Sequence, residues 1–293
     1  MKISNFFRAS LYLEKFPIVY QEMKTFIRRP GNKSKHLKHI IPHIPEFTGT
    51  YYEPFLGTGA VYLHLLPEKA VLNDLNKDIV NIWKLVKSDP AYMIEEIDKF
   101  KKNFLPKTNE MKLKQCKEIV SKIDKLKGKE RTIHYLLMIY CSFNGCLINN
   151  NKYHIGGLYG AFFIRKSVVI FTEDYQKKLL ELKQLLKNVK IENKDYSKII
   201  EKTKKGDFVF LDPPYIEEKQ YSFRYNKNED FDPVVLKKEL HELDSKNVKW
   251  MMTQIDTPQV RKLFKNYKFR SYTNTSNFNI STTVKKELII TNY

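Results

Sequence analysis

The residues best suited to chemistry form one short motif, Asp212-Pro213-Pro214-Tyr215. It directly follows the apolar run 208–211, which predicts a buried strand, and ligands of open α/β sheets bind beyond the carboxyl ends of strands. The prolines fix φ and have no backbone N–H, so the carbonyls beside the Asp212 carboxylate are rigid acceptors. Such a pair of acceptors suits a substrate amino group, and Tyr215 offers a flat face on which a base can stack. The competing interpretation is a proline-rich turn after a strand.

A second candidate site is the turn Leu56-Gly57-Thr58-Gly59, which follows Phe55 at the end of another short predicted strand. Glycines at a strand-to-helix turn let the backbone approach a ligand closely. A carboxylate about 20 residues further on can hydrogen-bond ribose hydroxyls, and Asp74 ends the next predicted strand. The third glycine of the dinucleotide fingerprint is missing, which disfavours a dehydrogenase. The competing interpretation is a tight turn with no ligand.

The elements that position these motifs alternate between strand and helix. Residues 50–55 and 70–73 read as strands around a helix at 60–66, and the pattern resumes with strands at 189–192, 207–211, 248–252 and 287–291. Between them, residues 91–141 are rich in lysine and helical in period. One face of this stretch carries the apolar residues Cys116, Ile119, Ile123 and Leu126. Residues 142–166 are irregular and rich in Asn, Gly and Tyr, so the pattern predicts one α/β domain with an insertion at 88–170.

The charge and cysteine content of the chain indicate which classes of binding partner to expect. Lys and Arg number 52 against 33 Asp and Glu, a formal net charge of +19 that favours a polyanion such as nucleic acid, although an AT-rich genome would also enrich lysine. No apolar run is long enough for a membrane span, so no membrane partner is predicted. The three cysteines form no CxxC pair and no His/Cys cluster has zinc spacing. We therefore predict no metal, no disulfide framework and a reduced, intracellular setting.

With both motifs in view, residues 26–293 resemble the Dam-type (D12 class) DNA adenine-N6 methyltransferases. The likeness rests on the run 53–59, on Asp74-Leu75-Asn76, on the Asp-Pro-Pro-Tyr motif (212–215) and on the ending 285–293. It implies a Rossmann-like S-adenosylmethionine-dependent methyltransferase fold, with a mixed, mostly parallel sheet and helices on both faces. It also implies a catalytic domain at 26–87 and 171–293, with a mainly helical target-recognition insertion at 88–170. Residues 1–25 are an N-terminal extension without a recognised counterpart.

The resemblance also implies roles for individual residues. Catalysis falls to Asp212, Pro213, Pro214 and Tyr215. The contacts it implies for the cofactor S-adenosylmethionine are Lys33 at the methionine end, Phe55, Gly57, Gly59, Asp74 at the ribose, Asp195 and Tyr196 at the adenine, and Asp212.

In the insertion, Phe143 is similar to a wedge that enters the DNA and Asn144 to a nearby polar contact, although a core aromatic is an equal interpretation of Phe143. Ile148 stands where family members that read GATC have an arginine, and isoleucine cannot make the bidentate contact to guanine. We therefore do not expect GATC as the target. The pair Thr253-Gln254 replaces a Ser-Asn of the family, with no effect predicted.

The function predicted on this basis is site-specific methylation of adenine N6 in double-stranded DNA. The target base would be flipped out, with its amino group bonded to the Asp212 carboxylate and the Pro213 carbonyl while the methyl is transferred in line. Methylation of an exocyclic amine in RNA, or of cytosine N4, uses similar chemistry, and a catalytically silent DNA-binding relative is a third alternative. Cytosine C5 methylation is disfavoured because no cysteine follows a proline. A restriction endonuclease is a candidate genetic partner, whereas the sequence does not predict the recognition site or the oligomeric state.

Overall fold

A computed structural model describes residues 25–142, 145, 147–149, 153–155, 174–216, 231–276 and 283–293. Its strands are β1 (Tyr51–Glu53), β2 (Ala70–Asn73), β3 (Leu147–Asn149), β4 (Tyr153–Ile155), β5 (Val189–Glu192), β6 (Phe208–Leu211), β7 (Lys249–Ile255), β8 (Lys268–Ser276) and β9 (Thr283–Thr291). Its α-helices are α1 (Leu37–Ile40), α2 (Ala60–Leu65), α3 (Lys77–Ser88), α4 (Pro90–Phe104), α5 (Asn109–Lys122), α6 (Gly128–Cys141), α7 (Tyr175–Leu185), α8 (Ser197–Ile200), α9 (Pro233–Ser245) and α10 (Pro258–Leu263). Strands and helices alternate on both sides of the helical stretch 90–141, as the sequence predicts.

Seven strands form one mixed sheet in the order β5-β2-β1-β6-β7-β9-β8. The first five are parallel to one another, whereas β9 runs antiparallel to both β7 and β8. This arrangement confirms the predicted mixed, mostly parallel sheet.

Both faces of the sheet are covered by helices because successive side chains of a buried strand point to opposite faces. In β6, Phe208 and Phe210 pack in one hydrophobic cluster with residues of α3 and α6. Val209 and Leu211 pack in a second cluster with residues of α8, α9 and α10. The all-apolar sequence of β6 is therefore explained by burial on both faces.

All six strands predicted from the sequence are present in the seven-stranded sheet. The predicted strands at 70–73 and 189–192 coincide with β2 and β5, and the others shift at their ends by a few residues. Strand β8 was missed because its sequence, KFRSYTNTS, is polar and pairs only at the edge of the sheet. Strands β3 and β4 form an antiparallel pair within the stretch expected to be irregular.

Capping residues divide the lysine-rich stretch into separate helices, and the apolar periodicity of the sequence does not reveal these boundaries. Asp89 accepts a hydrogen bond from the backbone N–H of Tyr92 at the start of α4, where Pro90 occupies the first turn. Thr108 accepts in the same way from Met111 at the start of α5. Of the apolar face predicted here, Cys116 and Ile123 are fully buried, whereas Ile119 and Leu126 are partly exposed.

The order of strands along the sheet reverses between β1 and β6, which pair in parallel with Tyr51 opposite Phe208. Connections leave such a pair toward opposite faces, so a crevice opens beyond the carboxyl ends of these two strands. The glycine turn (56–59) follows β1 and the Asp-Pro-Pro-Tyr motif (212–215) follows β6. Both predicted motifs therefore lie at the reversal point of the sheet.

Candidate active site

The glycine turn needs its glycines for two different reasons. Gly57 and Gly59 have φ values of 48° and 65°, in the left-handed region that favours glycine. A Cβ on Gly59 would lie 2.5 Å from the ring of Trp83, whereas a Cβ on Gly57 would meet nothing within 4 Å. The indole N–H of Trp83 also donates to the Gly57 carbonyl at 3.2 Å. Gly59 is thus required for packing under the turn, and Gly57 faces the open crevice.

Asp74 is tied to the same turn. One carboxylate oxygen accepts the backbone N–H of Gly57 at 2.7 Å and the other accepts that of Asn76 at 2.8 Å. The side chain is only partly buried, and an ionised carboxylate has capacity for further donors. The structure therefore brings Asp74 against the glycine turn, where it can both hold the turn and face a ligand.

Sequence reasoning missed Asn73, the buried residue just before this acid. Its amide donates to the carbonyls of Pro54 at 3.0 Å and Lys194 at 2.9 Å, and its oxygen accepts the Lys194 N–H at 2.9 Å. One side chain thereby joins the segments that follow β1, β2 and β5. A buried asparagine at the end of an apolar strand was the available signal.

An aromatic cluster lies at the β5 side of the crevice. The Phe55 ring is 5.1 Å from that of Tyr196 and 6.3 Å from that of Phe231, and all three are half-buried. Asp195 is exposed and accepts from the backbone N–H and the hydroxyl of Ser197. The structure thus brings Phe55 and Tyr196 together, whereas Phe231 was not foreseen because it lies far along the chain.

At the end of β6, two donors converge on one oxygen of Asp212. The Lys33 ammonium lies 2.7 Å from Oδ1, and the Thr253 hydroxyl donates to the same oxygen at 2.7 Å. The Lys33 side chain is 7% exposed, so its charge is held next to the carboxylate with little water around it. It also donates to the Gly31 carbonyl at 3.2 Å and lies 4.9 Å from the centre of the Tyr215 ring. Lys33 therefore contacts the Asp-Pro-Pro-Tyr motif at both Asp212 and Tyr215.

The other motif residues differ in exposure. Pro213 is buried and Pro214 is exposed, while Tyr215 is half-buried and its hydroxyl donates to Glu287 Oε2 at 2.7 Å. The hydroxyl of Tyr272 donates to that same oxygen at 2.8 Å, and His36 Nδ1 lies 3.2 Å from it. The Tyr215 hydroxyl is thus bonded to a buried polar cluster of Glu287, Tyr272 and His36, which the sequence did not predict.

Two buried glutamates near the motif have opposite pKa shifts. Burial raises the pKa of Glu53 to about 8, and the carboxylates of Asp212 and Asp74 add to this while the Tyr51 hydroxyl opposes it. Burial also acts to raise the pKa of Glu287, but the hydrogen bond and charge of His36, with the charge of Lys33, lower it to about 2. Burial and the carboxylate charges of Asp212 and Glu287 hold the pKa of the Tyr215 hydroxyl well above its ordinary value.

The helical stretch reaches this site through the end of α6. The Tyr140 hydroxyl donates to the Phe26 carbonyl, and a Cβ on Gly145 would lie 2.0 Å from the Arg28 carbonyl oxygen. Gly145 therefore packs against the backbone of Arg28, in the segment that leads to Lys33. Phe143 and Asn144 lie outside the described residues, and Ile148 pairs with His154 in the β3–β4 ladder.

Across the described ranges, we find no group of His, Cys, Asp and Glu side chains that could hold a metal ion. None of the helices seen in those ranges combines the length and apolar character that crossing a membrane requires.

A doubly wound sheet with a glycine turn, an acid after the next strand and an Asp-Pro-Pro-Tyr motif at its reversal point is the arrangement that the resemblance implies for a Rossmann-like methyltransferase. Residues 30–279 match the family model for D12 class N6 adenine-specific DNA methyltransferases, and the chain belongs to this family. The predicted family, fold class and enzyme class, a DNA adenine-N6 methyltransferase, are thereby confirmed.

Relatives of known name agree with this membership. The chain is 31% identical over 282 residues to the Type II methyltransferase M1.LlaDCHI of Lactococcus lactis subsp. cremoris, covering 92% of this chain and 96% of the relative. It is 30% identical over 250 residues to the Type II methyltransferase M.MjaIII of Methanocaldococcus jannaschii, covering 79% and 84%. It is 25% identical over 204 residues to a DNA adenine methylase of Vibrio cholerae, covering 67% and 66%.

Proposed function

We propose that this enzyme transfers the methyl group of S-adenosylmethionine to N6 of an adenine flipped out of double-stranded DNA at a specific sequence. One observation carries the proposal: Asp212 lies at the reversal point of the sheet, beside the glycine turn, with one carboxylate oxygen fixed by Lys33 and Thr253. The motif then offers an oriented carboxylate next to a rigid carbonyl where ligands of this fold bind.

Different residues around the crevice suit the methionine, ribose and adenine parts of S-adenosylmethionine. The Lys33 cation suits the carboxylate of the methionine end, and Asp74 suits the ribose hydroxyls. The half-buried rings of Phe55, Tyr196 and Phe231 suit the adenine, with exposed Asp195 beside them. Gly57 leaves the backbone open to close approach, and Gly59 maintains the turn. When bound, the cofactor supplies an electrophilic methyl group on a sulfonium.

The Asp-Pro-Pro-Tyr motif would hold the target amino group. The Asp212 carboxylate and the Pro213 carbonyl each accept one N–H of the adenine amine, which aims the nitrogen lone pair at the methyl group. The negative charge of Asp212 also stabilises the positive charge that develops on the nitrogen. Tyr215 lies against the base, with its ring held at the hydroxyl by Glu287. The nitrogen–methyl bond would form as the bond from the methyl carbon to the cofactor sulfur breaks, S-adenosylhomocysteine would leave, and the nitrogen would release one proton to solvent.

We further propose that residues 88–170 are the target-recognition insertion within a catalytic domain at 26–87 and 171–293, and that residues 1–25 are an extension outside that domain. The packing of Gly145 on the Arg28 carbonyl supports a path from this insertion to the Lys33 segment. Phe143 and Asn144 would then enter the DNA near the flipped base. Because Ile148 cannot read guanine, the target would differ from GATC.

The cellular setting follows from the substrate. An enzyme that methylates DNA acts inside the cell, where the DNA is. The two relatives above that are named Type II methyltransferases support a restriction endonuclease of the same specificity as a genetic partner.

The test is transfer of radiolabelled methyl from S-adenosylmethionine to unmethylated duplex DNA, with RNA of matched sequence as a second substrate. We expect N6-methyladenine in DNA, and a loss of about 1000-fold or more in Asp212→Asn, which keeps the side-chain shape but removes the charge. Label only in RNA would favour the RNA alternative. Near wild-type transfer by Asp212→Asn would contradict the role of the carboxylate.

A further inference from the structure

Strand β7 runs beside the catalytic motif, and the register of the two strands brings specific residues against it. Leu211 of β6 pairs with Met252 of β7, so the residues that follow each of them, Asp212 and Thr253, are neighbours. Thr253 and Gln254 are both fully buried. Polar side chains are buried at this depth when their hydrogen bonds are satisfied, and both find partners in the motif.

The prolines of the motif explain why a side chain is needed here. A parallel ladder continues only if each strand supplies backbone donors, and Pro213 and Pro214 have none. The Gln254 amide takes the place of the missing ladder: its oxygen accepts the Ile216 N–H at 2.9 Å and its nitrogen donates to the Pro214 carbonyl at 3.3 Å. The loop is therefore clamped on both sides of Tyr215.

These contacts are selective among the acceptors of the motif. Thr253 and Lys33 both contact Asp212 Oδ1, while Oδ2 has no partner among the residues the structure describes. Gln254 engages the carbonyl of Pro214, while that of Pro213 likewise has no partner within those ranges. The two acceptors left open are the ones that the proposed function assigns to the two N–H groups of the adenine amine.

We propose that Thr253 and Gln254 are positioning residues that select which acceptors of the Asp-Pro-Pro-Tyr motif face the substrate amine, an inference that rests on the proposed function. Thr253 turns Asp212 so that Oδ2 points to the substrate, and Gln254 holds the loop so that the Pro213 carbonyl does. Neither residue needs to touch the substrate or the cofactor.

Thr253→Val tests the part of the inference that concerns Thr253, because valine matches threonine in shape and replaces its hydroxyl by a methyl group that cannot donate a hydrogen bond. We expect kcat for methyl transfer to fall about 10- to 100-fold through misorientation, with KM for DNA and the cofactor Kd within about threefold of wild type. Thr253→Ser, which restores the hydroxyl, should recover most of kcat. Gln254→Met, similar in length but without the amide, should lower kcat to a comparable extent.

Thr291→Val is the matched control. Thr291 is equally buried in the same sheet, but its hydroxyl donates to the Tyr293 carbonyl and not to the motif. Its kcat should stay near wild type. Equal loss in Thr253→Val and Thr291→Val, or no recovery in Thr253→Ser, would overturn the inference.

A crystal structure of Thr253→Val would show the orientation of the Asp212 carboxylate independently of activity. We expect the Asp212 carboxylate to rotate or to occupy more than one orientation. An unchanged carboxylate would show that Lys33 alone orients Asp212 and would overturn the inference about Thr253. Wild-type enzyme that fails to methylate adenine would instead contradict the proposed function, and the crystal structure would still decide whether Thr253 orients the carboxylate.

Discussion

The two halves of the crevice are built differently. On the β2–β5 side, side chains bond mainly to backbone: Asp74 to the N–H groups of Gly57 and Asn76, and Asn73 to the segments at Pro54 and Lys194. On the β6–β9 side, side chains bond to side chains in a buried cluster around Asp212 and Glu287.

The difference suits the two tasks. On the β2–β5 side, side chains that bond to backbone fix the glycine turn, against which the proposed function places the cofactor. Orienting one carboxylate toward a reacting amine requires buried charges whose geometry is fixed by several partners at once. We therefore expect the β2–β5 side to be sensitive to backbone changes and the β6–β9 side to changes of charge and hydrogen bonding.

The largest expected effect concerns Glu53, which lies where the two sides meet. Its folded-state pKa of about 8 exceeds the ordinary value of 4.5, so its contribution to stability is complete below about pH 4.5 and is lost as the pH rises to 8. The loss corresponds to about 5 kcal/mol of unfolding free energy. Glu53→Gln should remove this decline, which urea denaturation at pH 5, 7 and 8.5 measures.

Glu287 should show the opposite dependence. Its pKa is lowered to about 2, so its contribution is complete above about pH 4.5 and is lost as the pH falls to 2, by about 3 kcal/mol. Glu287→Gln should be less stable than wild type at pH 7 and should approach it near pH 2. The exposed residue Glu68 provides the control, since Glu68→Gln should follow the wild-type curve. If unfolding free energy depended on pH in the same way in all the variants, the predicted opposite contributions of Glu53 and Glu287 would be contradicted.

Substitutions in the glycine turn test whether the β2–β5 side is sensitive to backbone changes. Gly59→Ala combines an unfavourable φ with a contact 2.5 Å from Trp83, and we expect a loss of about 3 kcal/mol in unfolding free energy. Gly57→Ala has only the φ cost, about 1 kcal/mol. Thermal and urea unfolding of the pair measure the difference, and equal losses would show that packing on Trp83 does not constrain the turn.

The smallest expected effect is on cofactor affinity, and it distinguishes two acidic residues of the β2–β5 side. Asp74→Ala should raise the cofactor Kd about 10- to 100-fold, because it loses the proposed ribose contact and releases the Gly57 N–H. Asp195→Ala should raise it only a few-fold, since Asp195 is exposed and bonds to its neighbour Ser197. Isothermal titration with S-adenosylmethionine measures both, and a larger effect at Asp195 would reverse the assignment.

Much of the fold was predictable because its signals are local. Strand-length runs that are apolar or that alternate apolar with polar residues are such signals, and β2 and β5 were placed correctly from them. The edge strand β8 was missed because pairing on the edge imposes no apolar pattern on its sequence.

The class of enzyme, the two motifs and their order were predictable from the amino-acid sequence, since these depend on residue types and spacing along the chain. The packing of distant segments established which oxygen of Asp212 is engaged, and that the Tyr215 hydroxyl bonds to Glu287, 72 residues away. It also decided that His36 meets Tyr272 across 236 residues. Such contacts join distant segments through the register of neighbouring strands, and hydrogen-bond geometry and burial follow only once those strands are packed.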